Sequence, residues 1–308
     1  MRTTFINELT KLCRKNKDIY LLTADLGFSV FEDFKKEFPD RFINVGIAEA
    51  NMIGIASGIA LTGKIVYVYS IIPFLTMRCF EQIRIDVCYQ NVNVKLVGVG
   101  GGLSYGVQGV THHSIEDIGI MRTLPNMKVI CPGDPFEARE AINESSNLDG
   151  PIYIRLNKNN EPLLYEKNPK FQIGKAIKLI NGDDLTIIAT GNMLESAIEV
   201  SNLLRDIGKM VNLVSMHTVK PIDEEMIKEC LKKTKYIFTM EEHTLFGGLG
   251  SAIAEVIVKD MTNNNIFKAY GIPDKYSECV GSREFLRKEY GIDTISVFND
   301  IVSVTKGS

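Results

Sequence analysis

Residues 92–117 read VNVKLVGVGGGLSYGVQGVTHHSIED, and the fold turns on how this stretch is parsed. Val92, Val94, Leu96 and Val97 form a short apolar run, the signature of a strand buried on both faces. From Gly98 to Gly109 six glycines break the run and let the backbone approach a ligand closely. Thr111 or Ser114 then caps a helix expected over residues 114–123. A strand, a glycine-rich loop and a helix make up the unit of an α/β fold, where ligands gather beyond the carboxyl ends of the strands. Two of the four histidines, His112 and His113, fall in this loop. The plainer alternative is a turn ahead of a capped helix, and an adjacent histidine pair does not by itself make a zinc cage.

Outward from this unit the same alternation recurs. Strands are expected at 19–24, 65–68, 92–97, 127–130 and 152–154, and helices at 4–16, 48–61, 75–90, 114–123 and 135–146. A polar stretch with Pro162 and Pro169 interrupts the pattern. Beyond it come strands at 185–190, 210–215, 236–240 and 266–270, and helices at 192–206, 223–232, 249–260, 283–289 and 294–305. The expected fold is α/β: two domains, 1–157 and 175–308, joined by a linker over 158–174, each built around a mainly parallel sheet with helices on both faces.

Composition fits this reading. The chain has 308 residues and a net charge of −3, from 35 basic against 38 acidic side chains. That size suits two domains of roughly 100–200 residues. The balanced charge leaves no footprint for nucleic acid or an anionic membrane surface. No run approaches the roughly 18 apolar residues of a membrane span. Six scattered cysteines without a CxxC pair read as reduced thiols, and a cytoplasmic location is expected.

Several residues stand out. Glu49 opens an apolar helix: a carboxylate there complements the helix dipole, or is aimed into a cleft beside Met52 and Ile53. Phe74 and Arg78 share a helix face. Asp25 follows a strand and precedes Gly27, as a turn former or a site residue. Gly58–Lys64 imitates a phosphate loop, but Ile65 stands where a Ser or Thr is required, and the helix precedes the strand. Gly247-Gly248-Leu249-Gly250 opens a helix, as close packing or as a weak phosphate site.

Together these pieces resemble the carboxyl-terminal half of transketolase, its pyrimidine-binding domain plus its C-terminal domain. The motifs occur in family order: Asp25-Leu26, Gly46-Ile47-Ala48-Glu49, Phe80-Glu81-Gln82-Ile83-Arg84, Gly109-Val110-Thr111-His112, Met216 through Asp223, and Glu241-Glu242-His243 with the glycines after it. Deoxyxylulose-phosphate synthase and the beta subunits of 2-oxoacid dehydrogenases share this layout. The resemblance implies a thiamine diphosphate enzyme. The G-D-G…N-N segment that holds the diphosphate through Mg²⁺ is not in the sequence. A separate N-terminal subunit is therefore expected to supply that half, in a two-plus-two hetero-tetramer. In this arrangement the C-terminal domain serves dimer assembly more than catalysis.

The resemblance also implies roles. Glu49 would hydrogen-bond N1′ of the aminopyrimidine and Phe74 would stack on its ring, with Arg78 and Asp25 beside the cofactor. His112 would act at the reacting carbonyl. Ser29, Gln108, His113 and Arg155 would contact a sugar or 2-oxo acid substrate, Ser29 and Arg155 through its phosphate. Gln108 stands where an acceptor-reading aspartate is usual, Gly100 where a histidine is usual, and Ile71 and Met77 where aromatics are usual. These departures imply a non-standard donor or acceptor for the two-carbon transfer. Two alternatives are a 2-oxoacid dehydrogenase beta subunit, suggested by His113-Ser114, and a non-catalytic assembly or regulatory subunit.

Overall fold

Phe5, Leu9 and Cys13 recur at helical spacing and are buried, so the first segment lays one face of a helix on a sheet. In the computed structural model, which describes residues 1–158, 161–259 and 264–306, this pattern continues along the chain. The first domain runs α1 (Arg2–Lys15), β1 (Ile19–Thr23), α2 (Glu32–Glu37), β2 (Phe42–Asn44), α3 (Glu49–Leu61), β3 (Ile65–Ile71), α4 (Ile72–Thr76), α5 (Phe80–Gln82), β4 (Val94–Val99), α6 (Asp117–Arg122), β5 (Lys128–Ile130), α7 (Pro135–Ser145) and β6 (Ile152–Leu156). The second runs β7 (Ile177–Ile180), β8 (Leu185–Ala189), α8 (Met193–Asp206), β9 (Val211–Ser215), β10 (Thr218–Lys220), α9 (Glu224–Lys233), β11 (Tyr236–Thr244), α10 (Leu249–Lys259), β12 (Ile266–Ile272), α11 (Arg283–Glu289) and α12 (Thr294–Lys306). Residue 260 of an expected helix, linker residues 159 and 160, and the last two residues of the expected second domain lie outside the described residues.

The first sheet has the order β10-β5-β6-β4-β3-β1-β2, and the second the order β12-β11-β8-β9-β7. All neighbours are parallel except β10 on β5 and β7 on β9. In the first sheet the chain leaves β1 for β2 on one side and then crosses to β3 on the other. This reversal opens a crevice at the carboxyl ends of β1 and β3, the expected place for a ligand. The central strands are buried on both faces. Val66 and Val68 of β3 pack with Met52 and Ile53 of α3, while Tyr67 and Tyr69 pack with Phe5 and Leu9 of α1. Burying each such side chain contributes about 1.5–3 kcal/mol.

The structure departs from the sequence reading at named places. The helix expected over 75–90 is broken into α4, α5 and a π-helix over Ile83–Tyr89. Pro73 stands at the start of α4, and the chain turns at Met77–Cys79 before α5. The helix expected from residue 114 starts at Asp117, because Ser114 is held in a bridge to Gly102. Strands β2, β7 and β10 are short edge strands that the sequence reading does not contain. β10, inside the Met216–Asp223 motif, leaves the second domain and extends the first sheet: Thr218 faces Ile130 and Lys220 faces Val129. The described part of the polar stretch, residues 161–174, is tied down. The Leu164 N–H donates to Asp134 Oδ2 at 3.1 Å, and Phe171 stacks on His217 at 4.2 Å. Among the described residues, no helix is long and apolar enough to cross a membrane.

Candidate active site

The crevice is built from four loops at the carboxyl edge of the first sheet. Asn44, ending β2, accepts the N–H groups of Asp25 at 2.9 Å and Gly46 at 3.0 Å, which ties the β1 loop to the entry of α3. Gly46 turns with φ +75°, a conformation that favours glycine, and α3 then begins with Glu49. The Glu49 side chain is buried, and the helix N-terminus favours its negative charge. Arg78 Nη1 donates to Glu49 Oε2 at 2.6 Å. The same guanidinium lies 4.6 Å above the Phe74 ring. His112 meets Phe74 edge-on at 5.1 Å, and Tyr105 approaches His112 at 5.8 Å. Lys158 Nζ sits 4.5 Å over the Tyr105 ring. Glu49, Arg78, Phe74, His112, Tyr105 and Lys158 thus form one continuous line of contacts.

His112 is partly exposed, and its Nδ1 lies 3.0 Å from Thr111 Oγ1. Partial burial, then the neighbouring His113 and Lys158, hold its pKa below the usual histidine value. A neutral imidazole at neutral pH can accept or donate a proton at a carbonyl in the crevice. Neither Tyr105 nor Lys158 stands out in the sequence. The signal for Lys158 is its place at the carboxyl end of a buried strand, a few residues beyond Arg155.

The other expected site residues are placed differently. Asp25 and Ser29 lie exposed on the β1 loop, both with positive φ, by a small cleft with Phe28 and Asn44. Asn44 Nδ2 donates to Asp25 Oδ1 at 3.1 Å, and Glu32 accepts the Ser29 N–H at 2.7 Å. Gln108 is exposed at the end of a 3-10 turn, Gly106–Gln108. His113 is buried instead of facing the crevice, with Nε2 at 3.2 Å from the Gly106 carbonyl.

Arg155, expected at a substrate phosphate, is 2% exposed and turns its Nε and Nη2 to groups of this chain. It donates to Asp117 Oδ2 at 2.8 Å, and its Nη2 donates to the Ser114 and Glu242 carbonyls at 2.9 and 3.0 Å. Tyr153 also donates to Asp117 Oδ2, at 2.6 Å. Burial alone would raise the Asp117 pKa, but Arg155 with its hydrogen bonds holds it below the usual carboxylate value. Residue spacing cannot show that a strand arginine is neutralised by an aspartate on another element.

The Glu241-Glu242-His243 motif is also structural. Glu241 accepts the Leu249 and Gly250 N–H groups at 2.7 and 2.8 Å, so the N-terminus of α10 is filled by this chain's own carboxyl group and offers no phosphate site. Burial pushes Glu241 up to about 7. His243 Nδ1 donates to the Thr244 carbonyl at 2.7 Å and Nε2 accepts the Gly119 N–H at 3.2 Å, partners that select the neutral Nδ1–H tautomer. Among the described residues, no group of three or more His, Cys, Asp or Glu side chains stands ready for a metal.

Comparison with known proteins agrees with this architecture. Residues 1–162 match the transketolase pyrimidine binding domain, and residues 174–297 the transketolase C-terminal domain. The chain is 40% identical over 309 residues to a putative transketolase C-terminal section of Methanocaldococcus jannaschii, covering 99% of this chain and 96% of that protein. It is 37% identical over 294 residues to one of the subunits of an apulose-4-phosphate transketolase from Phocaeicola vulgatus, covering 95% and 93%. A solved structure described as "Split gene transketolase, inactive beta4 tetramer" superposes with a TM-score of 0.89 at 34% identity, covering 99% of this chain and 97% of that one. The chain belongs to the transketolase family, as the C-terminal subunit, pyrimidine-binding plus C-terminal domain, of a transketolase-type transferase.

Proposed function

We propose that this chain forms one half of an active site that transfers a two-carbon ketol unit to an aldehyde acceptor, the other half coming from an N-terminal transketolase section. The observation that carries the reading is the line of contacts from Glu49 through Arg78 and Phe74 to His112. It offers a buried carboxylate, a half-buried aromatic face and an imidazole in one crevice, a donor set that fits an aminopyrimidine. Thiamine diphosphate, when bound, supplies the carbon nucleophile that carries the two-carbon unit. Glu49 would hold the ring nitrogen through a shared proton; Arg78 engages only its Oε2. Phe74 would orient the ring by stacking. His112 would exchange a proton with the reacting carbonyl, and Lys158 would attract an anionic group on the substrate.

The partner would carry the diphosphate and Mg²⁺. Phe28 and Ile47 are each 81% exposed and Val107 65%, on the β1, β2 and β4 loops that frame the crevice, so an apolar rim is left for a covering surface. A two-plus-two assembly would place two such sites between chains. The substituted positions, Gln108 and Gly100 in particular, favour a modified sugar over an ordinary pentose phosphate. The relative from Phocaeicola vulgatus is named for apulose 4-phosphate. The described cysteines are all unpaired, which suits a reducing cytoplasm.

The test is affinity purification of the tagged chain from its native cells, with mass spectrometry and assay of thiamine diphosphate in the eluate. A stoichiometric partner bearing a G-D-G…N-N segment, with cofactor and ketol transfer to an aldehyde, supports the reading. A stable cofactor-free assembly of this chain alone, inactive with every aldehyde tried, would sink it.

A further inference from the structure

We infer that the C-terminal domain sets the position of the His112 loop, and that Glu242 is the positioning residue. The inference rests on the reading of His112 as a group at the reacting carbonyl. Glu242 lies on β11 and is fully enclosed. Its Oε1 accepts the Leu103 N–H at 2.6 Å, across 139 residues, and Asn192 Nδ2 at 2.9 Å. Its Oε2 accepts Arg287 Nε of α11. Arg287 is itself fastened to Ser196 Oγ and the Asn192 carbonyl, each at 3.2 Å. A carboxylate this far from water keeps its charge only where its donors are placed, so the cluster is stiff.

Both legs of the loop rest on this residue. The first leg is Gly102-Leu103. Gly102 has φ +62°, and a Cβ there would overlap Glu242 Oε1, so only glycine lets the backbone settle on the carboxylate. The second leg is Ser114, whose N–H and carbonyl pair with Gly102 at 2.9 Å each. The Ser114 carbonyl is also held by Arg155 Nη2, and that same nitrogen donates to the Glu242 carbonyl. Between the legs stand Tyr105, Gln108 and His112. A third contact braces the span: a Cβ on Gly106 would overlap the Gly281 carbonyl, just ahead of α11, the helix that carries Arg287. The second domain thus acts on the crevice from behind, through the backbone of the loop.

The test compares the intact chain with its Glu242→Gln variant by amide hydrogen exchange and by NMR titration of the His112 ring. Loop amides over 102–114 are expected to exchange at least about tenfold faster, with α1 and β3 unchanged. The His112 pKa is expected to rise toward the ordinary histidine value as the loop leaves its packed position. A folded variant with unchanged loop exchange and unchanged His112 titration overturns the inference. If Glu242→Gln does not fold, Arg287→Gln retains a donor to the carboxylate; the same loop changes are expected there, smaller, and their absence overturns the inference. These readouts need no substrate. Failure of the catalytic reading would show separately, as full activity of a His112→Ala chain in the assembled enzyme.

Discussion

Arg78 and Glu49 are joined by a 2.6 Å ion pair that puts a half-exposed guanidinium against a buried carboxylate. The pair is open enough to water to add little stability. Glu49→Gln is therefore expected to leave the melting temperature nearly unchanged. In the assembled enzyme it should lower turnover by about 100- to 10,000-fold, the range for loss of a proton-sharing group. Steady-state rates and a thermal melt on the same preparation check both halves of this expectation.

Phe74 presents one face to Arg78 and meets His112 edge-on. Phe74→Ala removes the stacking surface and is expected to weaken thiamine diphosphate binding about tenfold in the assembled enzyme. Phe74→Tyr keeps the ring and should bind nearly as wild type. Calorimetric titration distinguishes the two; equal affinities for Ala and Tyr would place the cofactor elsewhere.

Asp117 and Arg155 are buried together, so removing one charge strands the other. Asp117→Ala is expected to destabilise the chain by about 3–5 kcal/mol. The double change Asp117→Leu with Arg155→Met should cost much less. Urea unfolding measures both, and a harmless Asp117→Ala would contradict the paired burial.

Lys158 is the partly exposed counterpart. Lys158→Gln is expected to raise KM for an anionic substrate by about tenfold with little change in kcat, an effect that shrinks as salt is added. Kinetics at two ionic strengths decide the point. An unchanged KM would remove Lys158 from the substrate site.

His217 is stacked on Phe171, and burial holds its pKa near 4 against the ordinary 6.5. Between those values the unfolded chain takes up a proton that the folded chain does not. Stability from this group is complete above the unfolded value and falls as pH drops through the folded one, by up to about 3 kcal/mol. Glu241, pushed up to about 7, works in the opposite sense and loses its contribution as pH rises through that value. His217→Phe is expected to remove the acid-side loss. Unfolding curves at about pH 7 and about pH 4.5 test it, the wild type losing more between them than the variant.

The alternation of short apolar runs with helical spacing is enough to predict two successive α/β units. The order of the glycine-rich loop, the Glu49 helix and the Phe74–Arg78 pair is legible for the same reason. Burial on a strand or a helix leaves a period of 2 or 3.6 along the chain. β2, β7 and β10 are short, lie at sheet edges and, for β2 and β7, are largely half-buried, so they leave no apolar run and appear only in the folded molecule.

Linear order therefore carries local facts: element types, their succession, and which side chains open or close them. It is packing that sends β10 into the first sheet, neutralises Arg155 with Asp117, stands Lys158 at the crevice, and rests both legs of the His112 loop on Glu242. An arginine has the same spacing whether it meets solvent or an aspartate 38 residues away. Which charges are desolvated depends on the layers above and below them, and a desolvated charge must take its partner from whatever element lies against it.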